Sequence, residues 1–306
     1  MKQELTLGPI PFHWSASERR DFYAGIADEA PVDTVCLGEV ICSKRAPYFE
    51  ADLPEIAERL ERGGKRVVWS SLAEIMLKRE RKATEGLCEG EDGREVEANN
   101  AAALLHLAGK PHRVGPLMNV YNAETMTWLA GQGATHFGLP VELPGDAVAV
   151  MAARAAALGV GVEVQVFGRA SLALSARCYH ARAHGRTKDN CQFVCEQDPD
   201  GMALSTMDGS PFLVVNGIQT LSQSYVSLAG QVADMAAMGV GALRLVPQRQ
   251  DMVALAQVFR DLADARIGGD EGTARLDAMD MGVPLSNGFW MGEAGYRRIG
   301  RAAELV

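Results

Sequence analysis

The stretch Thr135–Phe167, THFGLPVELPGDAVAVMAARAAALGVGVEVQVF, decides the fold class. It begins with a strand-like run over Thr135–Leu139 and continues with an Ala-rich helical segment over Gly145–Leu158, which Gly159 can end. It finishes with an alternating, Val-rich run over Val160–Phe167. A strand, a helix and a second strand in this order predict a βαβ unit with parallel strands.

The alternation of strand and helix continues on both sides of this unit. Further strands are predicted at Leu5–Ile10, Thr34–Leu37, Arg66–Ser70, Arg94–Glu97, Arg113–Met118, Phe212–Val215 and Ala242–Val246. About eight such units predict an α/β protein with a (β/α)₈ TIM-like barrel. A doubly wound open sheet is the alternative, although Gly8-Pro9-Ile10 after the first strand lacks the glycine spacing of a dinucleotide-binding fingerprint.

Two segments interrupt the alternation. Residues 168–209 are polar, basic and cysteine-bearing, and they are too many for an ordinary connection. We interpret them as a functional, cysteine-bearing insertion after the seventh strand. We therefore expect a barrel domain over residues 1–268, which includes this insertion, followed by a C-terminal tail over residues 269–306.

Four cysteines are the candidate metal ligands. Cys42 follows the second predicted strand, whereas Cys178, Cys191 and Cys195 lie in the insertion. Cys191 and Cys195 are four residues apart, which places both sulfurs on the same face of a helical turn. If the fold brings Cys42 to the same point, four thiolates suit a zinc ion or an iron–sulfur cluster, and the spacing does not choose between them.

Composition and charge narrow the class of protein. The net charge is −9, which argues against an open phosphate-binding surface, so we expect no nucleic-acid partner. Six cysteines in 306 residues are too few for a disulfide scaffold. The N-terminal MKQE begins no apolar signal segment, and the longest apolar stretch, Ala147–Phe167, is interrupted by charge. We expect a cytoplasmic protein without a membrane span, in which clustered cysteines bind metal and Cys36 and Cys88 do not take part.

Further polar residues are expected at one rim, because functional groups of such barrels lie where the strands end. These candidate substrate-binding or supporting residues are Glu39, Lys44, Arg45, Asn119, Tyr121, Asn122, Glu142 and Gln248 near strand ends, and Arg177 and Arg182 in the insertion. Glu142 is expected to be buried. Arg177, Arg182 and Arg186 either form a solvated face or serve the site, where they would offset the negative charge of a cluster or hold an anionic substrate.

Two histidines in the insertion resemble metal ligands by their spacing. His180 and His184 are four residues apart, but Ala181 occupies the position at which the zincin motif has a glutamate. We interpret both as solvated or supporting histidines. No nucleophile elbow and no P-loop is found in the sequence.

Several strings of the chain together resemble one known family. They are Leu37-Gly38-Glu39 with Cys42-Ser43-Lys44-Arg45, Pro140-Val141-Glu142-Leu143, Ser175-Ala176-Arg177-Cys178, Lys188-Asp189-Asn190-Cys191 with Cys195, and Asn216-Gly217-Ile218-Gln219-Thr220. With the cysteine spacing as the specific part, the chain resembles the collagenase-like peptidase (U32-type) superfamily. Within it, the likeness is to the branch that acts in anaerobic, O₂-independent ubiquinone biosynthesis.

This resemblance implies a function, a cofactor and partners. It implies a 4Fe–4S cluster on Cys42, Cys178, Cys191 and Cys195, and a heterodimer with a UbiU-like sister protein that carries its own cluster. The pair would hydroxylate the ring of polyprenyl-phenol quinone precursors, with oxygen from a small metabolite such as prephenate. A UbiT-like lipid carrier would present the substrate.

Two other functions remain open at this point. The chain could be a non-catalytic scaffold or electron-relay subunit whose partner performs the chemistry. It could also be an RNA-base hydroxylase, as wider relatives are, although its acidic balance weakens that interpretation.

Overall fold

Strands and helices alternate along residues 2–90 and 93–300, the part of the chain that this computed structural model describes. The strands are β1 Glu4–Leu7, β2 Thr34–Leu37, β3 Arg66–Ser70, β4 Glu95–Ala98, β5 His112–Val114, β6 Ala134–Gly138, β7 Gly161–Leu174, β8 Met202–Ser205, β9 Pro211–Asn216, β10 Gln219–Ser227, β11 Ala242–Leu245 and β12 Leu285–Ser286. The helices are α1 Ala16–Asp28, α2 Leu53–Arg62, α3 Lys78–Glu89, α4 Ala101–Leu107, α5 Ala123–Gly131, α6 Gly145–Leu158, α7 Tyr179–Ala183, α8 Val232–Met238, α9 Met252–Ala263 and α10 Gly269–Ala278. None of the described helices is long and apolar enough to cross a bilayer.

Eight of the described strands form a closed parallel barrel. The order runs from β1 to β7 in sequence and then to β11, which pairs with both β7 and β1. Leu243 of β11 lies opposite Leu5 on one side and Val164 on the other. The predicted α/β fold with a (β/α)₈ barrel is confirmed, and the open sheet is wrong because β11 closes the ring.

Local signals in the sequence set the ends of several helices. Ser15 begins α1 with a capping box: its hydroxyl accepts the N–H of Glu18 at 3.3 Å, and the Glu18 carboxylate accepts the N–H of Ser15 at 2.9 Å. Gly159 ends α6 in the left-handed conformation, with φ of 70°. These termini fix where each helix returns the chain to the barrel.

The barrel interior holds a buried ion network in addition to apolar side chains. Arg244 of β11 donates to Glu97 of β4 and to Glu163 of β7, each at 2.6 Å. All three side chains are almost completely buried. Burial alone would raise the pKa of Glu163, but the Arg244 cation and other partners outweigh burial and lower it to about 2. The network therefore ties three distant strands together by charge.

The insertion is built around an antiparallel extension of the barrel sheet. β7 continues past the barrel to Leu174, and β10, β9 and β8 follow beside it in antiparallel order. The run Phe212–Val215, predicted as a strand of the barrel, lies in this extension instead. An apolar run of that length predicts a strand but not its partner or direction. The chain thus leaves the barrel near Gly168 and returns at Ser227, beyond the predicted end at residue 209.

The segment after residue 268 packs onto the barrel as far as residue 300. α10 lies against α9, and β12 pairs with β10. The backbone N–H of Gly145, at the start of α6, donates to the carbonyl of Trp290 at 2.9 Å, and a Cβ at Gly145 would lie 2.8 Å from the indole ring. Glycine is therefore required for this contact. The rest of the predicted tail, residues 301–306, lies outside the described residues.

Candidate metal centre

The four candidate cysteines lie around one small cavity. Cys42, Cys178, Cys191 and Cys195 line a space of about 20 Å³ between the loop after β2 and the insertion. None of them forms a disulfide. Cys36, in contrast, is buried in the barrel, and Cys88 lies on α3 in a small apolar cluster.

A buried carboxylate holds the loop that carries Cys42. The Glu39 side chain accepts the backbone N–H groups of Ile41 at 2.8 Å and Cys42 at 2.9 Å. Its second oxygen lies 4.0 Å from the Arg19 guanidinium, and both side chains are nearly inaccessible to solvent. Glu39 was predicted as a candidate site residue, and the structure places it as the group that orients the Cys42 backbone.

The insertion cysteines are presented by short turns. Cys178 precedes α7, and its sulfur accepts the N–H of Ala181 at 3.3 Å. Between Cys191 and Cys195 the chain does not form the regular helical turn that the spacing predicts. Gln192 and Phe193 take left-handed φ values of 47° and 52°. Such values strain a non-glycine residue and persist only where the surroundings impose them.

Two predicted basic residues lie at the cysteine cavity, but both have protein partners. Buried Arg45 donates to the Pro11 carbonyl at 2.9 Å and to the Asn216 side chain at 2.8 Å, and it lies against the Cys195 thiol. Lys44 donates to the carbonyl of Lys188 at 2.7 Å and thereby joins the Cys42 loop to the insertion. These contacts assemble the site from two distant segments.

The other two predicted basic residues are not brought to the cavity. The side chains of Arg177 and Arg182 are exposed on the insertion surface, and neither lines the space between the cysteines. Of the two interpretations left open by the sequence, the structure agrees with a solvated face for this pair.

Burial and charge act in opposite directions on the thiols. Burial raises the pKa of Cys42, Cys178 and Cys195, and the nearby Arg45 cation partly offsets the effect at each of them. Neutral thiols in such a setting lose their protons when a metal binds, because the metal takes up the thiolate charge. The cavity thus offers four sulfur donors beside one buried cation.

The two histidines of the insertion pack beside this site. The His180 ring nitrogen Nε2 lies 2.8 Å from Asp198, and burial lowers the pKa of His180 despite this carboxylate. His184 is exposed and its Nδ1 lies 3.0 Å from the His180 carbonyl. The interpretation of His180 as a solvated histidine is therefore wrong, and it is a supporting residue. It ties α7 to the turn that carries Cys195.

The remaining predicted residues are spread along the barrel rim. Tyr121 donates to Glu142, which is half-buried rather than buried, and burial together with this carboxylate raises the pKa of Tyr121 to about 12. Asn122 caps α5 by accepting the N–H of Thr125 at 2.8 Å. Asn119 is exposed, with a left-handed φ of 56°. None of these residues lines the cysteine cavity.

Gln248 lies in a second cavity at the mouth of the barrel, which has both apolar and polar walls. This cavity is about 60 Å³ and is also lined by Gln165, Arg169 and Gln219. Gln248 is completely buried, and its side-chain oxygen has no hydrogen-bond partner, nor has Nε of Arg169. The sequence analysis missed Gln165 and Arg169. Both are polar residues in the mostly apolar strand β7, and a polar residue in such a strand of a barrel indicates a side chain that points inward.

A family model and several solved structures match this chain. The sequence model of Peptidase family U32 matches residues 22–297. Among solved structures, an uncharacterized B. cereus protein shares 12% identity at a TM-score of 0.42, with 86% of this chain and 65% of that chain covered. This chain thus spans slightly under two thirds of that protein. Phospho-2-dehydro-3-deoxyheptonate aldolase from Thermotoga maritima shares 11% identity at a TM-score of 0.41, with 93% and 72% covered.

Proposed function

Since the chain belongs to peptidase family U32, we propose that it is a UbiV-type, iron–sulfur subunit of an O₂-independent hydroxylase that acts on ubiquinone-precursor rings. The observation that carries the proposal is the convergence of four thiols from two distant segments on one cavity. The resemblance of the surrounding strings, noted from the sequence, supplies the reaction and the partners: a UbiU-like subunit and a UbiT-like lipid carrier.

The spacing of the four sulfurs favours a cluster over a single zinc ion. Among these four described cysteines, no three sulfurs all lie within 4.8 Å of one another. Zinc bonded to sulfur at about 2.3 Å needs sulfurs only about 3.8 Å apart. A larger cofactor suits this separation, and when bound a 4Fe–4S cluster supplies one-electron redox chemistry.

The protein groups around the thiols have distinct roles in this proposal. Glu39 fixes the Cys42 backbone, and the buried Arg45 cation offsets the net negative charge of four thiolates around iron. Phe193 and Val194 line the cavity with apolar side chains. All of these are positioning roles.

The second cavity, at the barrel mouth, offers polar contacts to the oxygen donor. The partnerless N–H of Arg169 can donate to the carboxylate of a metabolite such as prephenate, and the partnerless side-chain oxygen of Gln248 can accept from its hydroxyl group. Oxygen transfer from a hydroxylated donor converts a ring C–H to C–OH and leaves the donor with C–H in place of C–OH. The exchange is balanced without an external oxidant.

Metal analysis tests the proposal directly. Protein purified without oxygen should contain about four iron and four sulfide per chain, with broad visible absorption. The Cys191→Ala variant should lose both, while Cys88→Ala, a buried cysteine away from the cavity, should keep them. One zinc per chain, or an unchanged metal content in the Cys191 variant, would overturn the cluster.

The reaction is tested with the partner present. Anaerobic incubation of the pair with a geranyl-substituted phenol and prephenate should give the ring-hydroxylated product, detected by mass spectrometry. The Cys191→Ala pair should give none. An unchanged amount of product with this variant would mean that the reaction does not require the cluster of this chain, and it would favour a scaffold role.

A further inference from the structure

An apolar cleft of about 640 Å³ lies beside the cysteine cavity on the outside of the barrel wall. One side is formed by the segment between β2 and α2, with Phe49 and Leu53. The other side is formed by α3, with Ala83 and Leu87, and the indole of Trp69 lies between them. Its volume is in the range typical of small-molecule sites, about 300–1,000 Å³.

The cleft exists because the ring of helices opens at this point. α1 packs against α2, and α3 packs against α4, so the cleft falls between two helix pairs. Ser70 points into the barrel, where its hydroxyl donates to Glu97 at 3.0 Å. Because side chains alternate along a strand, the preceding Trp69 points outward and forms the floor of the cleft.

The cleft and the cysteine cavity share a wall. Lys44 and Phe193 line both spaces. Phe193 lies between two candidate ligands in sequence, and its strained backbone is held by an edge-on contact with Tyr48, whose ring centroid is 4.8 Å away. A ring bound in the cleft would therefore lie one side chain away from the four sulfurs.

The buried carboxylates of the cleft, Glu39 and Glu80, have protein partners, and its exposed charged groups lie at the margin. Glu80 is buried, but it accepts the hydroxyl of Ser43 at 2.5 Å and the backbone N–H of Leu77 at 2.9 Å. The Arg94 guanidinium covers the Trp69 ring at 4.4 Å, and Arg79 is exposed. An apolar ligand could thus enter without stripping partners from a buried charge, and the cations at the margin suit a phenolate or another polar head.

We propose that this cleft binds a phenol that carries an isoprenoid chain, with the ring toward Phe193 and the chain along α3. The identity of the ring rests on the proposed function. The apolar character of the ligand rests on the cleft itself, because its walls are apolar and its margin is open to solvent at Pro47 and Ala83. The open margin allows a chain longer than the cleft to extend outside it.

Calorimetric titration of the purified protein with a geranyl-substituted phenol tests the site. Ala83→Trp fills the cleft from an exposed position on α3, whereas Glu85→Trp adds the same side chain to the same helix outside the cleft. We expect Ala83→Trp to raise Kd at least about tenfold, equivalent to about 1.4 kcal/mol, and Glu85→Trp to leave Kd within about twofold. Equal binding by both variants, or no binding by the wild type, overturns the proposal.

A labelling experiment covers the case in which Ala83→Trp does not fold. A photoreactive benzophenone ether of geraniol should label residues 43–53 or 78–87 of the wild type. Labels confined to other segments would place the ligand elsewhere. Iron content, measured on the same samples, separates the two proposals. Ligand binding by protein that lacks iron would support the cleft and contradict the cluster. Iron in protein that does not bind the ligand would support the cluster and contradict the cleft.

Discussion

At the scale of single residues, charge inside the barrel is organised separately from charge at the cysteines. Arg244 is the one charged residue of the otherwise apolar strand Ala242–Leu245. The identity of its partners, Glu97 and Glu163, was not predictable because they lie 147 and 81 residues away along the chain. Only barrel closure brings these strands together.

The Glu163 carboxylate should contribute stability that depends on pH. Its pKa is lowered from 4.5 to about 2 in the folded protein. A lowered pKa stabilises the fold above pH 4.5, and this contribution is lost as the pH falls toward 2. Between pH 5 and 2, the wild type should lose about 3 kcal/mol more of its unfolding free energy than Glu163→Gln, measured by urea unfolding at each pH. Glu58→Gln, at an exposed ion pair, should follow the wild type, and parallel curves for Glu163→Gln would contradict the assignment.

At the scale of elements, the site is a meeting of one loop with one insertion. The position of Cys42 after a strand and the polar character of the insertion sufficed to predict which cysteines to group. The turn through Gln192 and Phe193 was not predictable, because neither residue type favours a left-handed backbone. Contacts from other segments impose it, and those contacts are absent from the local sequence.

The loop after β2 should depend on Glu39 for its shape. In Glu39→Ala the N–H groups of Ile41 and Cys42 lose a charged acceptor, and such hydrogen bonds contribute about 1.5–3 kcal/mol each. We expect the Cys42 thiol of metal-free protein to react with iodoacetamide about tenfold faster, since a loss of 1.4 kcal/mol corresponds to that factor. Reaction is followed by peptide mass spectrometry. Glu39→Gln loses the same charge but keeps an acceptor oxygen, so it should react more slowly than Glu39→Ala; equal rates for the two variants would assign the effect to charge alone.

At the scale of the whole molecule, the barrel was predictable from repeated alternation, since each unit carries its own signal. The antiparallel extension was not, because strand direction is set by pairing and not by local composition. The same holds for the segment after residue 268, since Trp290 contacts Gly145, which lies 145 positions earlier in the chain. Its sequence alone left open whether it packs.

Trp290 should be a major contributor to the attachment of this C-terminal segment. Its side chain is 9% exposed and packs on the start of α6. Trp290→Ala should lower the free energy of unfolding by about 3 kcal/mol, as expected for loss of a buried indole. Tyr296→Ala, 74% exposed in the same segment, should change it by less than about 0.5 kcal/mol. Guanidinium unfolding followed by circular dichroism gives both values, and a small effect at Trp290 would mean that the segment is dispensable for stability.

The antiparallel extension has a consequence for how this molecule can change over time. The chain departs and re-enters through paired neighbours, since Phe167 lies opposite Ser227 and Gly168 opposite Val226. The inserted segment is a loop whose two ends are held together by this pairing. Each doubling of the length of such a loop raises the entropic cost of closing it by only about 0.6 kcal/mol. The barrel is therefore indifferent to the length and content of the segment between these pairs. The insertion, including its cysteines, can therefore change in length and sequence during evolution while the barrel remains unchanged.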